Sequence, residues 1–135
     1  MGMRFDSTRR RPPGLRVDSA ELPGRVRVLR VAGEIDILTA PDFEVAIDHD
    51  LSQAPAALVI DLSRITFIDS SGLAALFGAQ RRATCTVRVV VTPAIGRILD
   101  MVGMRDTLEL HADLDDATRE LTSRLDDTDN RRLHQ

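Results

Sequence analysis

The spacing of apolar and polar residues changes character in the middle of the chain. Ala57-Leu58-Val59-Ile60 is a continuous apolar run, the signature of a strand buried on both faces. Leu73, Leu76 and Phe77 then recur at helical spacing, so Asp69-Ser70-Ser71 falls where a helix must begin. Upstream, Leu15 to Ala20 and Val26 to Val31 are two β-rich runs around Leu22-Pro23-Gly24-Arg25, whose Pro-Gly pair predicts a turn and so an N-terminal hairpin. Thr39-Ala40-Pro41-Asp42 offers a threonine N-cap with an acidic residue three positions on. The helix it opens places Phe43, Ala46, Ile47 and Leu51 on one side, and Ser52-Gln53-Ala54-Pro55 ends it.

Downstream, the helix that starts at Ser71 runs to about Ala83, and Val87 to Val91 predicts a strand stopped by Thr92-Pro93. Ile95, Ile98, Leu99 and Val102 fall at i, i+3, i+4 and i+7, with Gly103 placed as the C-terminal cap. A short strand around Thr107-Leu108-Glu109-Leu110 precedes a last helix from Asp113, with Leu114, Ala117, Leu121 and Leu125 inward. The predicted order is β-β-α-β-α-β-α-β-α, a single α/β domain in which right-handed crossovers build a mixed sheet packed against about four helices. Residues 15–125 form that domain. Residues 1–14, with Arg4, Arg9, Arg10 and Arg11, and residues 126–135 carry almost nothing to bury and are expected to be a disordered arm and tail.

Composition narrows the function classes. A net charge of −3 gives no overall basic field for nucleic acid or an anionic membrane. Four Phe and no Trp or Tyr argue against a base-stacking platform. The single cysteine, Cys85, excludes an intramolecular disulfide and points to a reducing compartment. No apolar run is long enough to span a bilayer and the N-terminus has no signal-peptide core, so a cytoplasmic protein is expected.

Catalytic constellations are hard to assemble. Ser70 and Ser71 stand on a strand-to-helix turn, but no Gly-x-Ser-x-Gly surrounds them, and His49, His111 and His134 read as surface histidines. One cysteine and scattered histidines make no metal cage, and no cofactor is implied. The chain contains no lysine, so a P-loop is excluded. On the residues alone two readings of Asp69-Ser70-Ser71 stand side by side: a helix cap, or a hydroxyl at a helix N-terminus that accepts a phosphoryl group beside Asp69.

Three motifs occur together: Gly33-Glu34-Ile35-Asp36 with Thr39-Ala40-Pro41, then Phe67-Ile68-Asp69-Ser70-Ser71-Gly72-Leu73, then Pro93-Ala94-Ile95-Gly96-Arg97-Ile98-Leu99 ending in Gly103-Met104. In this order the chain resembles the STAS domain of bacterial anti-sigma factor antagonists, over Leu15 to about Arg124. The resemblance implies a non-enzymatic protein that binds an anti-sigma factor, usually a serine kinase, and thereby frees a sigma factor. It implies phosphorylation at Ser70 by that kinase, which releases the complex, and a separate phosphatase that restores it. It also implies a partner surface of Asp36, Asp69, Ser70, Ser71 and Gly72. The alternative within the same family is a constitutive scaffold of a transporter or sensory assembly, in which Ser70 is only a helix cap. Between Gly72 and Pro93 the chain departs from the family: Arg81-Arg82-Ala83-Thr84-Cys85-Thr86 makes the connection with fewer residues and without a Gly-Gly turn, so a shortened helix is expected. Cys85 in that connection is either an exposed redox-sensitive thiol or a partly buried, inert one.

Overall fold

The computed structural model describes residues 14–119 and 121. The expected arm up to residue 13, the tail, and Leu125 lie outside them. The elements are β1 (Leu15–Leu22), β2 (Val26–Ile35), α1 (Ala40–Ser52), β3 (Ala57–Ile68), α2 (Ser70–Arg82), β4 (Thr86–Val90), α3 (Pro93–Met101) and β5 (Glu109–His111), followed by a last helix, α4, seen over residues 114–119. The sheet is five-stranded in sequence order, with β1 antiparallel to β2 and every later pair parallel. The expected order of elements is therefore the observed one.

Each face of the sheet has its own apolar layer. On one face α1, α2 and α3 bring Phe43, Ile47, Leu76, Ala79, Ile95 and Leu99 onto Leu29, Val31, Leu58, Ile60 and Val89. On the other, Ala117 of α4 and Leu121 cover Val26, Val28, Ala57, Val59 and Val90. Burial from both sides is why residues 57–60 read as an unbroken apolar run.

β3 is twelve residues long and reaches Ile68, well past the apolar run that announces it. Its second half conceals its periodicity because the β2–β3 ladder slips twice, between Arg30 and Ala32 and between Gly33 and Glu34. Each slip inserts one residue in β3, so the inward side chains Leu62, Ile65 and Ile68 are spaced by three rather than two. Gly33 sits at one slip with a φ of 112°, and a Cβ there would lie 2.0 Å from the Gly14 carbonyl oxygen, so only glycine fits.

One expected boundary is corrected. The final strand is Glu109–His111; Thr107 and Leu108 belong instead to a turn in which the Thr107 hydroxyl and the Leu108 N–H both donate to the Met104 carbonyl. Gly103 does end α3 as expected, with φ of 75° and its N–H donating to the Asp100 carbonyl at 3.1 Å. α1 also carries one fully buried carboxylate, Asp50, which accepts from the Ser19 hydroxyl of β1 at 3.0 Å and from the Arg27 guanidinium of β2 at 2.8 Å. That cluster fastens α1 to the hairpin.

Cys85 is half-buried at the mouth of β4, and burial pushes its thiol above the ordinary 9.0, against smaller opposing effects from backbone hydrogen bonds. The thiolate is the reactive form, so this position favours the inert account. Iodoacetamide at pH 8 is expected to alkylate the native protein several-fold more slowly than the urea-unfolded chain, followed by intact mass. The unfolded thiol ionises first, so this group's contribution to stability is complete below pH 9.0 and declines as the pH rises beyond it.

Candidate functional site

The polar knot forms at the adjoining carboxyl ends of β2 and β3, where Ile35 and Ile68 are paired and the Asp69 N–H donates to the Ile35 carbonyl at 3.1 Å. In open α/β sheets this end of the strands is where sites are built. Asp36 and Asp69 are the residues after that pair, Asp36 leading into the β2–α1 turn and Asp69 into α2.

Asp69 is the N-cap of α2: its φ/ψ of −110°/−170° are extended and its carboxylate accepts from the Ser71 N–H at 2.8 Å. The capping duty thus rests on the aspartate and on neither serine. Ser70 occupies the first helical position and is exposed, and among the described residues no hydrogen bond engages its hydroxyl. Ser71 is half-buried beside it. Gly72 is buried and acts by permitting contact: a Cβ there would stand 2.6 Å from Ile68 Cγ1 and 2.7 Å from Ile35 Cγ2. Its absence of a side chain lets the first turn of α2 rest on the two strand ends and fixes how far Ser70 projects.

Asp36 has the matching role at the end of the neighbouring strand. Its Oδ1 accepts from the N–H groups of Leu38 and Thr39, both at 3.0 Å, and organises the β2–α1 turn. Thr39, expected to cap α1 with its side chain, does not: it is in helical φ/ψ with no side-chain cap bond. Its hydroxyl instead donates to the Glu34 carbonyl and accepts from the Asp36 N–H, each at 2.9 Å, from a site only 2% exposed. The turn competes with the helix for that hydroxyl and wins, because the Glu34 and Asp36 backbone groups would otherwise be left without these bonds.

Locked this way, the turn holds Ile37 and Leu38 out in solvent at 76% and 79% exposure, two apolar side chains whose role composition alone does not reveal. A second apolar surface is equally hidden in the sequence. Leu73, Leu76 and Phe77 all read as core, yet only Leu76 is fully buried; the inward face of α2 is Gly72, Ala75, Leu76 and Ala79, which turns Phe77 outward to 41% exposure. Val102, read as inward on α3, is 53% exposed. Between them lies a groove of about 390 Å³ lined by Leu73, Ala74, Phe77, Val102, Met104 and Thr107. The sequence carries no signal for it, because Leu73, Leu76 and Phe77 at i, i+3 and i+4 fit one apolar stripe and only packing decides that Ala75 rather than Phe77 shares the core with Leu76.

α2 has thirteen residues, as many as α1, and residues 83–85 lead from it into β4. His111 is in β5, two strands away from β3, and its Nδ1 is 2.7 Å from Asp116 Oδ2; that bond holds the Asp116 carboxyl below its usual range. The imidazole is committed to α4 rather than to either serine. No helix among the described residues is long and apolar enough to cross a membrane.

The site thus sits on the rim of a mixed five-stranded sheet with three helices on one face, where an exposed serine opens a helix. The STAS domain profile matches residues 19–117, and the chain belongs to that family. By sequence it is 36% identical over 109 residues to the anti-sigma-F factor antagonist RsfB of Mycobacterium tuberculosis, covering 78% of this chain and 88% of the relative. It is 31% identical over 84 residues to the anti-sigma-B factor antagonist of Listeria monocytogenes, covering 59% and 74%. By structure it matches an anti-sigma factor antagonist from Mycobacterium paratuberculosis with a TM-score of 0.76 at 35% identity, over 82% of this chain and 97% of that one.

Proposed function

We propose that this protein is an anti-sigma factor antagonist, and that it docks a serine-kinase anti-sigma factor through the face formed by Asp36, Asp69, Ser70 and Ser71, with Gly72 setting the height of that face. Phosphorylation of Ser70 by the bound kinase ends the complex, and a phosphatase restores it. The observation that carries this reading is the division of labour at the start of α2: Asp69 caps, which leaves the Ser70 hydroxyl exposed and without structural duty. A constitutive scaffold would need Ser70 only as a cap, and the cap here is Asp69. The names of the relatives, antagonists of anti-sigma factors in two genera, support the partner class.

The electrostatics favour a switch without refolding. A phosphoryl group brings about −1.5 to −2 charges to a helix N-terminus that tolerates them, so the fold survives. In a docked interface the same dianion lies beside Asp69 and Asp36. A penalty of about 3 kcal/mol there raises Kd more than about 100-fold, enough to dissolve a micromolar complex.

The test uses the anti-sigma factor kinase that co-purifies with the tagged full chain, produced recombinantly and incubated with this protein and ATP. Mass spectrometry is expected to place a single phosphate on Ser70, with none on Ser70→Ala, while the urea midpoint of Ser70→Ala stays within about 0.5 kcal/mol of wild type. Phosphate elsewhere, or its persistence in Ser70→Ala, overturns the assignment.

A further inference from the structure

From the groove beside α2 we infer a second, permanent element of partner recognition: it seats an apolar anchor side chain of the anti-sigma factor, and Arg81 at its rim pairs with a carboxylate carried next to that anchor. This rests on the proposed function and adds to it the chemistry of the partner. Ser70, Ala74, Phe77 and Arg81 are spaced at i, i+4, i+7 and i+11, so they share one stripe of α2 with the switch serine at its upper end. A partner that covers Ser70 therefore lies along the groove as well.

The groove has the properties of an anchor pocket. Apart from Thr107 its lining is apolar, and it combines buried Met104, 7% exposed, with Phe77 and Val102, which remain 41% and 53% exposed. About 390 Å³ is the lower end of what small-ligand clefts enclose, room for one or two side chains rather than a whole helix.

Charge selects the occupant. The Arg81 guanidinium lies 5.9 Å from the Phe77 ring centroid, and among the described residues it meets no carboxylate. Arg105, next in sequence to the groove residue Met104, is by contrast bonded to Asp100 and also feels Asp106. A second copy of this chain would bring an identical guanidinium to the rim, like charge against like. A partner carboxylate beside an aromatic-backed cation is the complementary arrangement, because the ring holds the guanidinium in place and the carboxylate neutralises it.

The groove and the switch then divide the work. Ser70 decides whether the complex persists, while the groove supplies an attachment that phosphorylation does not touch.

The experiment measures the affinity of the recombinant anti-sigma factor for wild type, Phe77→Ser, Val102→Ser, Arg81→Glu and Val45→Ser by titration calorimetry. All the replaced side chains are exposed, so the variants fold, and the control Val45 lies on α1 outside the groove. Phe77→Ser and Val102→Ser are each expected to weaken binding at least tenfold. Arg81→Glu is expected to weaken it about as much at low salt, with the gap narrowing at high salt, and Val45→Ser to leave it unchanged. Groove variants that bind like wild type, in a system where Ser70→Asp abolishes binding, overturn the groove and leave the switch standing. A wild-type protein that does not bind at all overturns the functional reading and the groove with it. A wild-type dimer in sedimentation velocity that Phe77→Ser converts to monomer shows that the groove seats a second copy, which also overturns the inference.

Discussion

Gly72→Val is expected to lower the stability of the domain by about 3 kcal/mol, read as a shift of the urea midpoint at unchanged slope. Even the first added carbon would stand 2.6 Å and 2.7 Å from side-chain carbons of Ile68 and Ile35, 6% and 0% exposed, which have no free space to yield into. The start of α2 must therefore ride up off the strand ends, or both isoleucines must leave their rotamers. Gly72→Ala meets the same obstacle with one carbon and regains some of the loss through better helix propensity, so about 1 kcal/mol is expected. Because it stays folded, Gly72→Ala is the more informative variant. It displaces Ser70 and Asp69 outward without altering either side chain, and its phosphorylation by the partner kinase is expected to slow while its far-ultraviolet circular dichroism stays native.

Asp50→Ala is expected to cost about 3 kcal/mol in the same measurement. The carboxylate is fully buried and receives the Ser19 hydroxyl and two Arg27 nitrogens, so truncation leaves a guanidinium with 15% exposure without its main acceptor. Removing one member of a buried pair costs about 3–5 kcal/mol; the lower figure applies because Glu21, 3.8 Å from the same guanidinium, partly compensates. Asp48→Ala is the contrast. Its bond to Arg82 is equally short at 2.9 Å, but the partners are 60% and 46% exposed, and no more than about 0.5 kcal/mol is expected. Distance alone would rank the two pairs together; solvent separates them.

These residues also show where the sequence speaks and where it does not. α3 is legible because Ile95, Ile98 and Leu99 follow one clean period and Gly103 has the glycine that a left-handed cap demands. The knot is legible because an apolar run and a helical period meet across three small polar residues. Asp50 is not, since in a one-dimensional pattern a buried ion pair looks like any solvated carboxylate, and its partner Arg27 is 23 residues away. The role of Thr39 is hidden for a related reason: its hydroxyl has a helix on one side and a turn on the other, and only the three-dimensional arrangement decides which backbone groups it serves. Phe77 and Val102 mislead because large apolar residues are assigned to the core by default, whereas a docking protein must keep some of them outside.

The double slip along β3 carries a consequence for how this stretch can change. β2 spends ten residues on a path that takes β3 twelve, and the surplus is taken up in two bulges that keep the inward face inward. Losing one residue from Ser63-Arg64 or Thr66-Phe67 would remove a bulge and restore simple alternation with Leu62, Ile65 and Ile68 still inward, whereas losing one from the regular run 57–61 would turn the residues on one side of the gap to the wrong face. The bulged half of β3 is therefore the part of the strand whose length can change while Ser70 stays presented, and the regular half is the part whose length cannot.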